Sequence, residues 1–177
     1  MEDSERDFET YLKWMTDPAT MRYWEGMTEK YDRERVEREY REHEDERVTQ
    51  CFIELDGEPV GYCQFYRVEG AEDMEAPQEE YGRFVREGEN VFGVDMFLGK
   101  AELRGRGIGS RILKLLCGAL FGQFGADVIT VDPKTHNARA IRCYHKCGFE
   151  DWFVVPEREY QDGVYHDSVI MGKRQEV

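Results

Sequence analysis

The sequence predicts an α/β domain built on a mixed sheet. Three observations carry that expectation. Apolar periodicity reads in the order helix, two strands, strand, helix, strand, helix, two strands. The pairs Asp56-Gly57 and Asp162-Gly163 punctuate apolar runs, as hairpin turns do, because both residues tolerate positive φ. Between them, residues 91–147 alternate strand, helix, strand, helix, an arrangement that holds ligands at strand carboxyl ends and helix N-termini. The 177 residues suit one domain, spanning 1–177, with a genuine core.

Each element has its own signal. Residues 7–24 read as a helix on Phe8, Leu12 and Met15, with Pro18 as a breaker. Residues 31–46 are densely charged and read as a solvated helix laced with Glu/Arg pairs three or four apart. Gln50–Leu55 and Val60–Tyr66 flank the first Asp-Gly turn. Residues 69–80 are acidic and irregular, a long loop with room for a short helix, and long loops are often functional. Val91–Leu98 is a strand. Ile108, Ile112, Leu115, Leu116 and Leu120 recur at helical spacing, giving a helix over 107–121. Asp127–Val131 is a short buried strand. Asn137 is placed to cap a helix that runs to about Cys147 and stops at Gly148. Phe149–Val155 and Val164–Lys173 complete the strands.

Composition narrows the function. Twenty-four basic and 38 acidic residues give a net charge of −14, which disfavours nucleic acid and anionic membranes as partners. That charge suits a cationic substrate, or serves solubility alone. No stretch reaches the roughly 18 apolar residues of a membrane span. The acidic start lacks the apolar segment of a signal peptide. Five cysteines without an export signal point to reduced thiols and a cytoplasmic location. Cys143, His145 and Cys147 do not share one helix face, so no metal site is expected.

The sharpest local signal is Arg104-Gly105-Arg106-Gly107-Ile108-Gly109-Ser110, between a strand and a helix. Glycines let backbone amides approach an anion, and the helix N-terminus adds unsatisfied donors. The order of glycines is not the dinucleotide fingerprint, and no Lys-Ser/Thr pair follows as in a nucleotide phosphate loop. The alternative for this segment alone is a plain flexible turn leading into a helix, and the anion-site geometry favours phosphate binding over it. The pattern Arg104-x-x-Gly107-x-Gly109 resembles the pyrophosphate loop of the GCN5-related N-acetyltransferase superfamily. A second block, Asn137 through Phe149, is similar to that family's later motif, Asn-x-x-Ala-x-x-x-Tyr-x-Lys-x-Gly-Phe. The resemblance implies the family's single-domain fold, a mixed, mostly antiparallel central sheet flanked by helices. It also implies acetyl-CoA as cosubstrate, without a metal. The implied cofactor contacts are Met96, Phe97, Leu98, Arg104, Gly105, Arg106, Gly107, Gly109, Ser110, Asn137, Tyr144 and Lys146. The backbone of Met96–Leu98 would run beside pantetheine, with Asn137 hydrogen-bonding it and Tyr144 near the sulfur. Without the paired motif, Asn137 would be a plain cap and Tyr144 core packing.

Segments from Trp14 to Gly26, around Tyr62 and Tyr66, around Asp95 and from Val131 to Pro133 resemble aminoglycoside 6′-N-acetyltransferases. This resemblance implies an antibiotic-resistance type of enzyme that acts on a polycationic sugar amine. Related acetyltransferases of siderophore precursors, polyamines or protein amines are the alternative, and the oligomeric state is expected to be monomer or homodimer. One departure is that the chain begins where the family usually has completed a first strand, so that strand is expected to be short or absent. Asp95 and Asp132 fall at the ends of adjacent strands, where carboxylates would meet ammonium groups. Trp24, Tyr62 and Tyr66 offer flat faces for sugar rings or cations, and the 69–80 loop could add carboxylates. Asp95 is implied as the proton acceptor, although an ordinary carboxylate near pKa 4 is a weak base. Tyr144 is implied as the group that protonates or hydrogen-bonds the leaving thiolate.

Overall fold

The N-terminal helices follow from caps and one proline. The computed structural model describes residues 4–24, 26–27, 31–41 and 47–175. Helix α1 (Glu5–Met15) is capped by Ser4, whose hydroxyl accepts from the Asp7 amide, and buries Phe8, Tyr11, Trp14 and Met15 on one face. The single helix expected over 7–24 is in fact two. Pro18 lacks an amide hydrogen and takes the first position of a one-turn helix, α2 (Pro18–Met21), capped by Asp17. Helix α3 (Arg33–Arg41) corrects the expectation of a solvated segment. Its outer face does carry the i,i+4 pairs Arg35–Glu39 and Glu37–Arg41. Its inner face buries Val36 and Tyr40, with the Tyr40 ring 5.6 Å from Phe8 and 5.7 Å from Tyr11. Residues 42–46 of that expected helix lie outside the described residues.

Six strands form one sheet in the order β1-β2-β3-β4-β6-β5. They are β1 (Val48–Leu55), β2 (Glu58–Val68), β3 (Val91–Leu98), β4 (Val128–Val131), β5 (Glu150–Gln161) and β6 (Val164–Arg174). Every pairing is antiparallel except β3 with β4. Both Asp-Gly turns have φ near +53 at the aspartate and +80 at the glycine, as the two-residue hairpin turn requires. Among the described residues α1 is the first element, and no strand precedes it.

Two helices cover one face. Leu113, Cys117 and Leu120 of α5 (Ile108–Gln123) pack with Ile129, Val131 and Met171 of the sheet. Tyr144 of α6 (Ala138–Lys146) and Phe149 join them, with ring centroids 5.7 Å apart. Leu113 is fully buried, a burial worth about 1.5–3 kcal/mol. The acidic 69–80 segment contains a 3₁₀ turn, Glu72–Met74, and the start of helix α4 (Gln78–Phe84).

Two irregularities position the site. Strand β3 pairs with β4 only over Val91–Gly93, then continues beside β2 to Leu98 while β4 ends at Val131. Beyond Gly93, no strand among the described residues lies beside the edge of β3 that faced β4, which leaves that edge to the cleft as far as Leu98, whose carbonyl Arg104 takes. The second irregularity is in β5, expected to end at Val155. Val155 lies opposite Ser168 and Glu159 opposite His166, so four steps on β5 match two on β6. The surplus forms a bulge at Pro156–Arg158, with Glu157 at φ 51 and its amide donating to Asp167. No helix among the described residues is long and apolar enough to cross a membrane.

Candidate active site

Where β3 and β4 part, a cleft of about 680 Å³ opens, walled by the α5 N-terminus, α6, β3, the turn after β4 and the β5 bulge. Every site residue expected from sequence lines it except Arg106, which is exposed outside, and Tyr62, which is buried behind it.

One end of the cleft suits an anion. Gly105 and Gly107 have φ of 75 and 79, and a Cβ on either would meet nothing, so conformation rather than space requires glycine there. No side chain caps α5 and no acidic residue stands in its first turn, which leaves its first amides and the helix dipole turned toward the cleft. Ser110 has its hydroxyl 3.2 Å from the Cys143 thiol, joining α5 to α6.

Arg104 differs from expectation. Its guanidinium donates to the Leu98 carbonyl at 2.7 and 3.0 Å, to the Ala19 carbonyl at 3.0 Å and to the Thr20 hydroxyl at 3.2 Å. The side chain therefore clips α2 to the end of β3 and is not turned to a phosphate. Two cleft residues that sequence reasoning missed, Arg139 and Arg142, supply positive charge instead, together with Lys146. Their signal was available, since spacings of three and four put all three on one face of α6. Asn137 caps α6, its Oδ1 accepting from the Ala140 amide at 3.2 Å, which leaves its Nδ2 as the donor it can offer a ligand. Tyr144 is buried between the two ends. Burial and the charges of Asp95 and Asp132 hold its hydroxyl protonated, far above the ordinary tyrosine range.

The other end gathers carboxylates. Asp95 accepts from Gln64 Nε2 at 2.8 Å, and Gln64 accepts from the Tyr62 hydroxyl at 2.8 Å. Burial, reinforced by Asp132, pushes the Asp95 carboxyl up to about 7 against the opposing pull of Gln64 and Arg158. The Asp95 carboxyl thus departs from the ordinary value near 4 that the sequence alone suggests. Tyr62 is not a platform for a sugar. It is 1% exposed, enclosed by Tyr11, Trp24 and Phe97, and serves by orienting Gln64. Tyr66 does face the cleft, its ring lying over Gly93 so closely that a Cβ there would fall 2.5 Å from it. Trp24 stands edge-on to Tyr62 and Phe97, its carbonyl accepting from Lys134 at 3.3 Å and Gln161 at 2.9 Å.

Asp132 is paired, not free. Arg158, delivered by the β5 bulge, donates to it and also approaches Glu75. Glu159 pairs with Lys134 at 2.8 Å. Of the acidic 69–80 segment only Glu75 lines the cleft. Asp73 lines a second cavity of about 260 Å³ that shares Gln64, Tyr66 and Asp95 with the first. Glu79 and Glu80 pair with Arg83. The expectation that the whole loop adds carboxylates is thus reduced to Glu75, with Asp73 next door.

The family model described as the acetyltransferase (GNAT) domain matches residues 3–155, and the chain belongs to that family of acetyl-CoA-dependent N-acetyltransferases. Among individual relatives, aminoglycoside N(6′)-acetyltransferase type 1 of Klebsiella pneumoniae is 32% identical over 149 residues, covering 83% of this chain and 71% of that protein. A kanamycin resistance protein of Rhizobium radiobacter is 42% identical over 60 residues, covering 34% of this chain and 56% of that protein. The crystal structure of aminoglycoside acetyltransferase AAC(6′)-Ib with coenzyme A and kanamycin superposes with a TM-score of 0.75 at 26% identity, covering 97% of this chain and 91% of that one. Spermidine N-acetyltransferase from Vibrio cholerae, at 15% identity and a TM-score of 0.74 over 97% of this chain and 92% of that one, shares the fold.

Proposed function

We propose that residues 1–177 form one catalytic domain, an aminoglycoside 6′-N-acetyltransferase that moves acetyl from acetyl-CoA directly to a sugar amine. The observation that carries this reading is the division of charge along one cleft. Arg139, Arg142 and Lys146 stand at one end, and Glu75, Asp95, Asp132 and Glu159, partly offset by Lys134 and Arg158, at the other. The similarity to aminoglycoside 6′-acetyltransferases supports the same acceptor.

The residues fit the cosubstrate. Amides of the Gly105–Gly109 turn and the basic face of α6 receive the pyrophosphate. The free edge of β3 at Met96 and Phe97, with Asn137, holds the pantetheine arm. Bound acetyl-CoA supplies the thioester. Asp95 attracts the ammonium and takes its proton, and with its carboxyl near 7 it does so at little cost at neutral pH. Trp24 and Tyr66 hold the sugar ring, and orientation supplies part of the rate. Tyr144, whose buried hydroxyl stays neutral, donates a hydrogen bond to the departing thiolate and keeps its proton.

A thiol-release assay across aminoglycosides tests the proposal. Turnover is expected for compounds with a 6′-amine and not for those with a 6′-hydroxyl. Equal rates on both, or turnover confined to spermidine, a protein N-terminus or a hydroxylysine-type amine, would overturn the assignment.

A further inference from the structure

Arg158 stands where a cleft for polycations has least use for a cation. It reaches the acceptor end because the β5 bulge turns it inward, and its side chain is 10% exposed. One terminal nitrogen donates to Asp132. Its Nε lies 3.5 Å from Glu75 Oε2, beyond good hydrogen-bond length, and is buried without a hydrogen-bond partner. A buried arginine that serves structure alone normally spends its donors. Glu75, by contrast, is 66% exposed and sits on a left-handed residue at φ 50, so its hold on the guanidinium is weak. The next carboxylate, Glu159, is engaged by Lys134.

We propose that Arg158 is a resident counter-ion that balances Asp132 and Glu75 until a second ammonium of the acceptor displaces it, which makes it a specificity-determining residue for acceptors with two or more ammonium groups. The inference rests on the aminoglycoside reading to the extent that both require a polycation. A single ammonium satisfies Asp95 but leaves the Arg158–Asp132 pair closed across the site. With two ammoniums, one meets Asp95 and the second replaces the guanidinium beside Asp132 charge for charge, so Asp132 is not left unpaired in a poorly solvated cleft, while exposed Glu75 returns to solvent. The groups that face Asp95 are Asp132 after β4, Arg158 and Glu159 of β5, Gln64, Tyr62 and Tyr66 of β2, and Tyr144 of α6. Arg158 is the cation among them, so its removal should also move the acid limb of the pH–rate profile upward.

Two measurements test this. In wild-type enzyme, the Arg158 guanidinium resonance, followed by ¹⁵N NMR, should be protected from solvent exchange and lose that protection on saturation with kanamycin. It should keep it with 6-amino-6-deoxyglucose, which carries one ammonium. In kinetics, R158Q should raise the ratio of kcat/KM for kanamycin over the monoamine at least about threefold, shift the acid limb to higher pH, and be reversed on both counts by R158K. Turnover of kanamycin with the Arg158 resonance still protected, or a higher kanamycin KM in R158Q, would overturn the inference while leaving the proposed function intact. Release by spermidine without turnover of any aminoglycoside would support displacement and reject the aminoglycoside assignment. Neither release nor turnover with any polycation would reject both.

Discussion

Asp95 shows what a carboxylate gains from its surroundings. Its pKa near 7 comes from burial and from Asp132, so in the folded protein it holds a proton that the unfolded chain releases near pH 4. Between those values the native state binds more protons, and stability falls as pH rises through the window. Asp95→Asn removes that penalty. The variant should match wild-type melting temperature near pH 4 and exceed it by several degrees at about pH 8, as read by calorimetry. Its turnover at neutral pH should drop roughly 100-fold or more, with the gap narrowing below about pH 6, where the wild-type carboxyl is itself protonated. Tyr144→Phe should reduce kcat more than it weakens acetyl-CoA binding if the hydroxyl has the role proposed at the leaving group; unchanged turnover would remove it from the chemistry. The residue scale was also where sequence reasoning erred. Alternation along β2 tells which way Tyr62 points but not that α1 and Trp24 enclose it. The motif at Arg104 tells that a cation is present but not that three oxygens of its own chain claim it.

At the scale of elements, the α5 N-terminus and the β5 bulge contrast in legibility. The former was readable, because left-handed backbone at residues 105 and 107 demands glycine and the hydrophobic period begins just beyond. Gly107→Ala forces a Cβ into that conformation at a cost of about 1–2 kcal/mol. It should weaken CoA binding by up to roughly tenfold in calorimetric titration, and unaltered affinity would detach this turn from the phosphates. The bulge was not readable. Its two surplus residues obey no period, and only the register against β6 reveals them. Arg158 was invisible for that reason, whereas Arg139 and Arg142 were overlooked on a helix face that spacing already described. Strand β3 was legible end to end, since Val91–Leu98 is apolar apart from Asp95 and bounded by polar turns. Its separation from β4 is a tertiary fact with no local signature.

Across the whole molecule, a net charge of −14 surrounds a cleft whose cosubstrate end is basic. A polycation should be drawn by the general field, and that attraction fades as salt shortens its range. The KM for kanamycin should therefore climb between about 20 and 300 mM salt, and a flat response would assign the acidic surface to solubility alone.

The Arg104 clip bears on how acceptor preference could be exchanged between relatives. It joins Ala19 and Thr20 to the last carbonyl of β3, so α2, which leads into Trp24, is tied to the sheet by a small set of oxygen atoms in addition to the aromatic packing of α1 on Phe52, Tyr62 and Phe97. The N-terminal segment thus behaves as a cartridge with a defined latch. Transplanting residues 4–24 from another acetyltransferase should carry over its substrate preference only when the graft presents a carbonyl and a hydroxyl to Arg104. A graft lacking them would leave Trp24 misaligned while the chemistry at Asp95 and Tyr144 stayed whole.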